Sequence, residues 1–204
     1  MRFSVFHKKC RVKISFYFFA LLCLAAFFDR SGIMLWGLLA ALLHECGHVT
    51  AMLLLPGQAP REISVTPFGM RIDSSPLAAF DKGSLPVLAA GSGVNFISAA
   101  VTFGFLPDFA AVSLVLGLFN MLPVENMDGG GILRIALERI LSDNSADRVM
   151  KIISWVTLAA MLLLGIYVLV VTGYNFTWIG TALLLALTRL KKIIICPILK
   201  THSH

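Results

Sequence analysis

Charge is scarce in this sequence. Asp, Glu, Lys and Arg make up 14% of the 204 residues and hydrophobic residues 58%, whereas an ordinary soluble domain carries about 25% charged and about 45–50% apolar residues. With a mean hydropathy of +0.86, a water-soluble globule is excluded. A disordered or nucleic-acid-binding chain is excluded as well, because apolar residues are too abundant for either despite a net charge of +6. Cysteine is sparse and scattered: Cys10, Cys23, Cys46 and Cys196 form no CxxC pair and no short secreted framework, and read as free thiols. No clear cleavage site follows the first apolar run, which is therefore expected to stay as a membrane helix. Repeats, low-complexity tracts and an appended soluble domain are also missing.

What is present is a series of long apolar runs. A bilayer core about 30 Å thick needs about 20 mostly apolar residues per helix. Run 14–28 is short for this, but snorkelling of Arg11 and Lys13 lets its helix begin earlier. Run 31–55 is apolar except for His44, Glu45 and His48, and stops at Pro56-Gly57. Run 84–106 and run 109–124 flank a Pro107-Asp108 turn and read as a helical hairpin. Run 152–188 is too long for one span, and Gly173-Tyr174-Asn175 divides it. The expected fold is an all-α polytopic membrane protein of about six transmembrane helices. Threading an even number of spans from an inner N-terminus leaves Arg30 as the single basic residue of 17 on the outer side. Both termini are thus expected on the cytoplasmic side, and the basic clusters read as orientation and lipid-headgroup signals rather than as a site for an acidic partner.

Two segments do not read as spans. Segment 61–73 alternates β-branched residues around Pro67 and Gly69, as a short β-hairpin at the inner face that offers an edge strand. Segment 132–141 places Ile132, Leu133, Ala136, Leu137, Ile140 and Leu141 on one stripe, with Arg134 and Glu138 paired on the other side, as a helix lying at the membrane surface. The chain is expected to be one membrane-embedded domain over 1–204: a basic arm 1–13, a core of about 32–137, a helical hairpin 152–188 and a basic tail 189–204.

Ionisable groups at bilayer depth cost several kcal/mol and persist mostly where they have work to do. His44-Glu45-Cys46-Gly47-His48 is an H-E-x-x-H pattern within a helix. Its four-residue spacing puts both imidazoles on one face to bind one metal, with Glu45 close enough to act on a water there. Cys46 points about 200° around the helix from His44 and is expected to pack. A catalytic zinc site with two histidines calls for a third protein ligand, and a carboxylate completes a known set. Asp29 and Asp108 fall at the outer face, Asp143 and Asp147 in a polar loop, and Asp73 and Asp81 beside turns. Asp128 directly follows the fourth span and is trailed by Gly129-Gly130-Gly131, which allow close backbone approach. Its alternative role is to cap the next helix.

His44-Glu45-Cys46-Gly47-His48, taken with Asn120-Met-Leu-Pro123-Val-Glu-Asn-Met-Asp128-Gly129, resembles the site-2 protease family of intramembrane zinc metalloproteases, whose signatures are HExGH and N-x-x-P-x-x-x-x-D-G. The resemblance implies His44, His48 and Asp128 as ligands of one zinc ion, Glu45 as the catalytic base, and Asn120 as a polar group near the substrate. Ala90-Gly91-Ser92-Gly93-Val94-Asn95 stands where the family often has G-P-x-x-N. That makes Asn95 a second substrate-side candidate, with Ser92 in place of the proline and satisfaction of a neighbouring helix as the alternative role. Glu125 stands where members commonly have a second proline.

With no PDZ insertion, the chain is similar to the compact bacterial branch that includes the sporulation protease releasing a pro-sigma factor, although the CBS domain common there is missing. The resemblance implies a multi-pass protein of the bacterial cell membrane. Its partners would be a membrane-tethered substrate, such as a pro-sigma factor or another transcription regulator, and a membrane-protein inhibitor or activator. Two other readings remain at this stage: a membrane zinc transporter or metal-binding sensor, and a catalytically dead scaffold.

Overall fold

The computed structural model describes residues 11–14, 29, 32–55, 62–66, 69–73, 84–125 and 127–172. The expected spans at 14–28 and beyond Gly173, and the basic tail 189–204, lie outside the described residues, apart from Ile14. Residues 11–14 are not the start of a helix. Strand β1, Arg11–Ile14, pairs in parallel with β2, Glu62–Thr66, aligning Arg11 with Glu62 and Ile14 with Val65. Strand β2 pairs antiparallel with β3, Gly69–Asp73. The sheet therefore has three strands in the order β1-β2-β3. A lone hairpin is marginal in water, and a third strand adds the pairing that makes a small sheet stable.

Helix α1, Ile33–Leu54, starts behind Gly32 at φ 72°. There the Asp29 carboxylate accepts hydrogen bonds from the backbone N–H of Gly32 at 3.0 Å and of Met34 at 2.8 Å, satisfying amides that the first turn leaves open. Helices α2, Ser84–Thr102, and α3, Pro107–Asn120, are joined by a tight turn in which Phe105 and Leu106 donate to the Thr102 carbonyl. Pro107 sits in the first turn of α3, where its missing N–H costs nothing. Helix α4, Asp128–Glu138, begins a turn earlier than expected and ends earlier, and α5, Asp143–Thr172, is continuous. Asp143 and Asp147 lie in the first turns of α5 rather than in a polar loop. The Ser142 carbonyl accepts from Ser145 and Ala146, and Arg134 bridges Glu138 at 2.8 Å and Asp147 at 2.9 Å.

Packing among α1, α2 and α3 relies mainly on small residues, with Val87 and Phe109 as larger buried members. Helices α1, α2 and α3 pack on one another, α4 rests on α2, and α5 rests on α4. The buried faces are Ala40, His44, Gly47 and His48 on α1, with Ser84, Val87, Gly91, Ser92, Asn95 and Ala99 on α2 and Phe109, Ala110, Ser113 and Gly117 on α3. Large apolar side chains such as Leu54, Ile97 and Val170 stand outside, at 78%, 66% and 78% exposure. Small residues inside and large apolar ones outside suit a lipid solvent, where close helix approach replaces hydrophobic burial as the source of packing energy. Among the described residues three helices are long and apolar enough to cross a membrane, Ile33–Leu54, Ser84–Thr102 and Asp143–Val171, while Pro107–Asn120 is shorter.

Candidate metal centre

His44 and His48 lie one turn apart on the buried face of α1, with their rings edge to face at 84° and their Nε2 atoms 3.1 Å apart. Asp128 Oδ2 stands 3.1 Å from His44 Nε2 and 3.2 Å from His48 Nε2. The three atoms form a nearly equilateral triangle. A tetrahedral ion with bonds of about 2.0–2.1 Å holds its ligand atoms about 3.3–3.4 Å apart, so the triangle matches one face of such a site to within about 0.3 Å.

The donor chemistry fits a cation as well. His48 Nδ1 is 2.7 Å from the Val87 carbonyl oxygen, which can only accept, so Nδ1 carries the proton and a neutral ring presents its Nε2 lone pair to Asp128. Asp128 Oδ2 is buried with no hydrogen-bond partner beyond the two rings, and facing lone pairs at this range need a cation between them. Burial pushes the Asp128 carboxyl up. Without a cation, the carboxylate is held below its ordinary value only if the rings of His44 and His48 are protonated and donate to it, which outweighs burial; a bound cation takes the place of those protons. Among the described residues, His44, His48 and Asp128 are the one cluster of this kind.

Asp128 reaches α1 because of how its own helix begins. It is the first residue of α4, one position past the N-cap Met127, which makes no side-chain cap, and its Oδ2 is directed to the histidines. The preceding turn lies directly on α4. A Cβ on Gly129 would overlap the Met121 carbonyl, and one on Gly130 the Val124 carbonyl. Ser154 of α5 anchors the same turn, donating to the Met150 carbonyl at 2.8 Å and toward that of Pro123 at 3.4 Å. Replacing Gly130 by Ala is expected to lift the turn off α4 and carry Asp128 away from the histidines. Zinc content of the purified protein, measured by atomic absorption, should fall at least tenfold while the helical circular dichroism persists.

The remaining candidates divide. Glu45 is half-buried and within electrostatic reach of His44, His48 and Asp128. Asn95 is fully buried on α2, with its amide nitrogen Nδ2 3.2 Å from His44 Nδ1, so it faces a ligand directly. Asn120 folds back on its own helix, donating to the Leu116 carbonyl at 3.1 Å, and among the described residues makes no hydrogen bond to the triangle. Cys46, expected to pack, is exposed; its position on the helix carries it to the outer surface. Sequence reasoning named Gly91 only as part of the 90–95 motif, without its close approach to the two rings, and missed the Val87 carbonyl. The latter is a main-chain group with no signature, and Gly91 is legible only in its spacing of four from Asn95.

Residues 105–164 match the model of peptidase family M50. No curated protein matches the chain. Among solved structures, the chain is similar to the site-2 protease from Methanocaldococcus jannaschii, at 22% identity and a TM-score of 0.63 over 91% of each chain. The matched segment holds Asp128 but not His44, Glu45 or His48, and the fold joins the two. The family match is confined to that segment, and the likeness to the solved structure is one of fold.

Proposed function

We propose that the chain is a zinc metalloendopeptidase that hydrolyses peptide bonds within or near the transmembrane segments of membrane-tethered proteins. The carrying observation is the triangle of His44, His48 and Asp128 beside Glu45, buried among helices whose outer faces are apolar. When bound, zinc would supply a Lewis acid that polarises a carbonyl and lowers the pKa of water toward about 7. His44, His48 and Asp128 would hold it, and Glu45 would take the proton of the attacking water and return it to the leaving amine nitrogen.

The surroundings make the reaction selective. A substrate helix bonds all its amides internally, so it must unwind before a carbonyl is accessible, and helix-weakening residues in the substrate favour cleavage. The hairpin β2–β3 at the inner face offers an edge for an unwound segment to join as an added strand. Asn120 serves the substrate side near the Asp128 turn. The full chain has about six spans with both termini cytoplasmic in a bacterial cell membrane. Its partners are a tethered regulator such as a pro-sigma factor and a membrane-protein inhibitor or activator.

The test is reconstitution into proteoliposomes with a tethered reporter whose transmembrane segment carries Gly and Pro. Cleavage should stop when a chelator removes the metal and return on adding about one zinc per chain, the stoichiometry of a single cluster. Cleavage that survives chelation would sink the proposal. So would zinc flux through the liposomes that is lost in His44→Ala without any cleavage, the result expected of a transporter.

A further inference from the structure

The two histidines are held differently. His48 Nδ1 meets a backbone carbonyl, that of Val87, while His44 Nδ1 meets a side-chain amide, that of Asn95. Val87, Gly91 and Asn95 follow one another at intervals of four along α2, so one stripe of this helix faces both rings. At Gly91 a Cβ would overlap the His48 ring and come within 2.8 Å of His44 Cε1.

The amide at Asn95 is polarised the wrong way for a metal ligand. With Nδ2 toward the ring, the amide donates to Nδ1 and places the imidazole proton on Nε2, the atom facing Asp128 and His48. Asn95 Oδ1 meanwhile is buried without a hydrogen-bond partner. The oxygen and nitrogen of a primary amide are nearly isosteric, and a half-turn of the amide exchanges them. With Oδ1 toward the ring, the oxygen gains a donor, Nδ1 keeps its proton and Nε2 presents a lone pair to the triangle, while Nδ2 turns into the position Oδ1 leaves.

We propose that Asn95 is a positioning residue of the metal site, its amide oxygen accepting from His44 Nδ1–H and so fixing the metal-binding tautomer, as the Val87 carbonyl does for His48. The inference rests on the reading of His44, His48 and Asp128 as metal ligands. It gives Asn95 a task at the ligand rather than at the substrate. Orienting partners of this kind contribute about 10–100-fold to metal affinity.

Zinc affinity of the full chain in nanodiscs, measured by competition with a chromogenic chelator, tests it. Asn95→Leu keeps the volume and removes the acceptor, and its affinity should fall about 10–100-fold. Asn95→Asp keeps only the acceptor and should bind within a few-fold of the parent, or more tightly, a rescue that a merely structural role does not predict. Asn95→Leu binding as tightly as the parent, or Asn95→Asp binding as weakly as Asn95→Leu, overturns the inference. A measurement on the unsubstituted chain is independent of how the variants fold: in the zinc-loaded, 15N-histidine-labelled protein, His44 Nδ1 should carry a slowly exchanging proton. An unprotonated Nδ1 at His44 overturns the inference equally. A parent chain that takes up no zinc fails the metal-site reading itself, whereas a zinc-binding parent with an unchanged Asn95→Leu fails this inference alone.

Discussion

Glu45→Gln should leave zinc content unchanged and lower cleavage of a membrane-tethered substrate by about 10²–10⁴-fold, the usual contribution of a positioned general acid–base group. Glutamine matches glutamate in size, and the three metal-binding atoms are placed by α1 and α4 without help from Glu45. The substitution therefore isolates proton transfer. Zinc stoichiometry and single-turnover cleavage, measured on the same preparation in proteoliposomes, separate the two effects. Loss of zinc together with activity would reassign Glu45 to holding the metal, and undiminished cleavage would remove it from the chemistry. On the proposed function the same variant should retain uncut substrate, which makes it the tool for identifying that substrate.

Gly91→Ala should be nearly as damaging without touching a reactive group. The added methyl would overlap the His48 ring and lie 2.8 Å from His44 Cε1. Neither ring yields easily, since His48 is tied to the Val87 carbonyl and His44 abuts Asn95. Moving α2 away from α1 is opposed next door, where Gly47 lets the helices close until a Cβ there would be 2.7 Å from the Ala90 carbonyl oxygen. The triangle must therefore open, and zinc affinity and cleavage should fall together by at least about tenfold. Gly93→Ala is the control, because a Cβ at Gly93 meets nothing within 4 Å. It should bind zinc normally and unfold no more readily than the parent, since Ala favours a helix over Gly by about 0.5–1 kcal/mol. Equal behaviour of the two variants would refute the packing argument.

How much of this was legible in advance depends on whether the signal was local. His44 and His48 announce themselves through helical spacing against an apolar background, and the structure brings their Nε2 atoms to 3.1 Å of each other. Asp128 was reachable by elimination among few acids, and it stands 3.1 and 3.2 Å from the two rings. The pairing of β1 with β2 joins residues some fifty positions apart, aligning Arg11 with Glu62, and no local pattern encodes such a partner. Asp143 and Asp147 looked like loop residues because charge interrupts the apolar run. Their helix is supported from outside it, by Arg134 reaching Asp147. Asn95 was visible as a polar residue in an apolar run, but its partner became apparent only once α1 and α2 were packed together.

Helix α3 has 14 residues and rises about 21 Å, about 9 Å less than the hydrocarbon thickness of a bilayer. Where it stops, the turn 121–127 satisfies much of its own backbone: Met121 donates to Gly117, Leu122 to Phe119, Val124 to Leu122 and Met127 to Val124. Such a turn tolerates hydrocarbon depth better than open chain, because fewer of its peptide groups are left bare. If α3 crosses the bilayer, the shortfall is met by local thinning of the membrane or by the headgroup region dipping to the helix end. Either way, the boundary of the lipid is drawn down toward Asp128. On the proposed function, a hydrolase needs water as its second reactant, and the abbreviated helix would shorten the path by which it arrives.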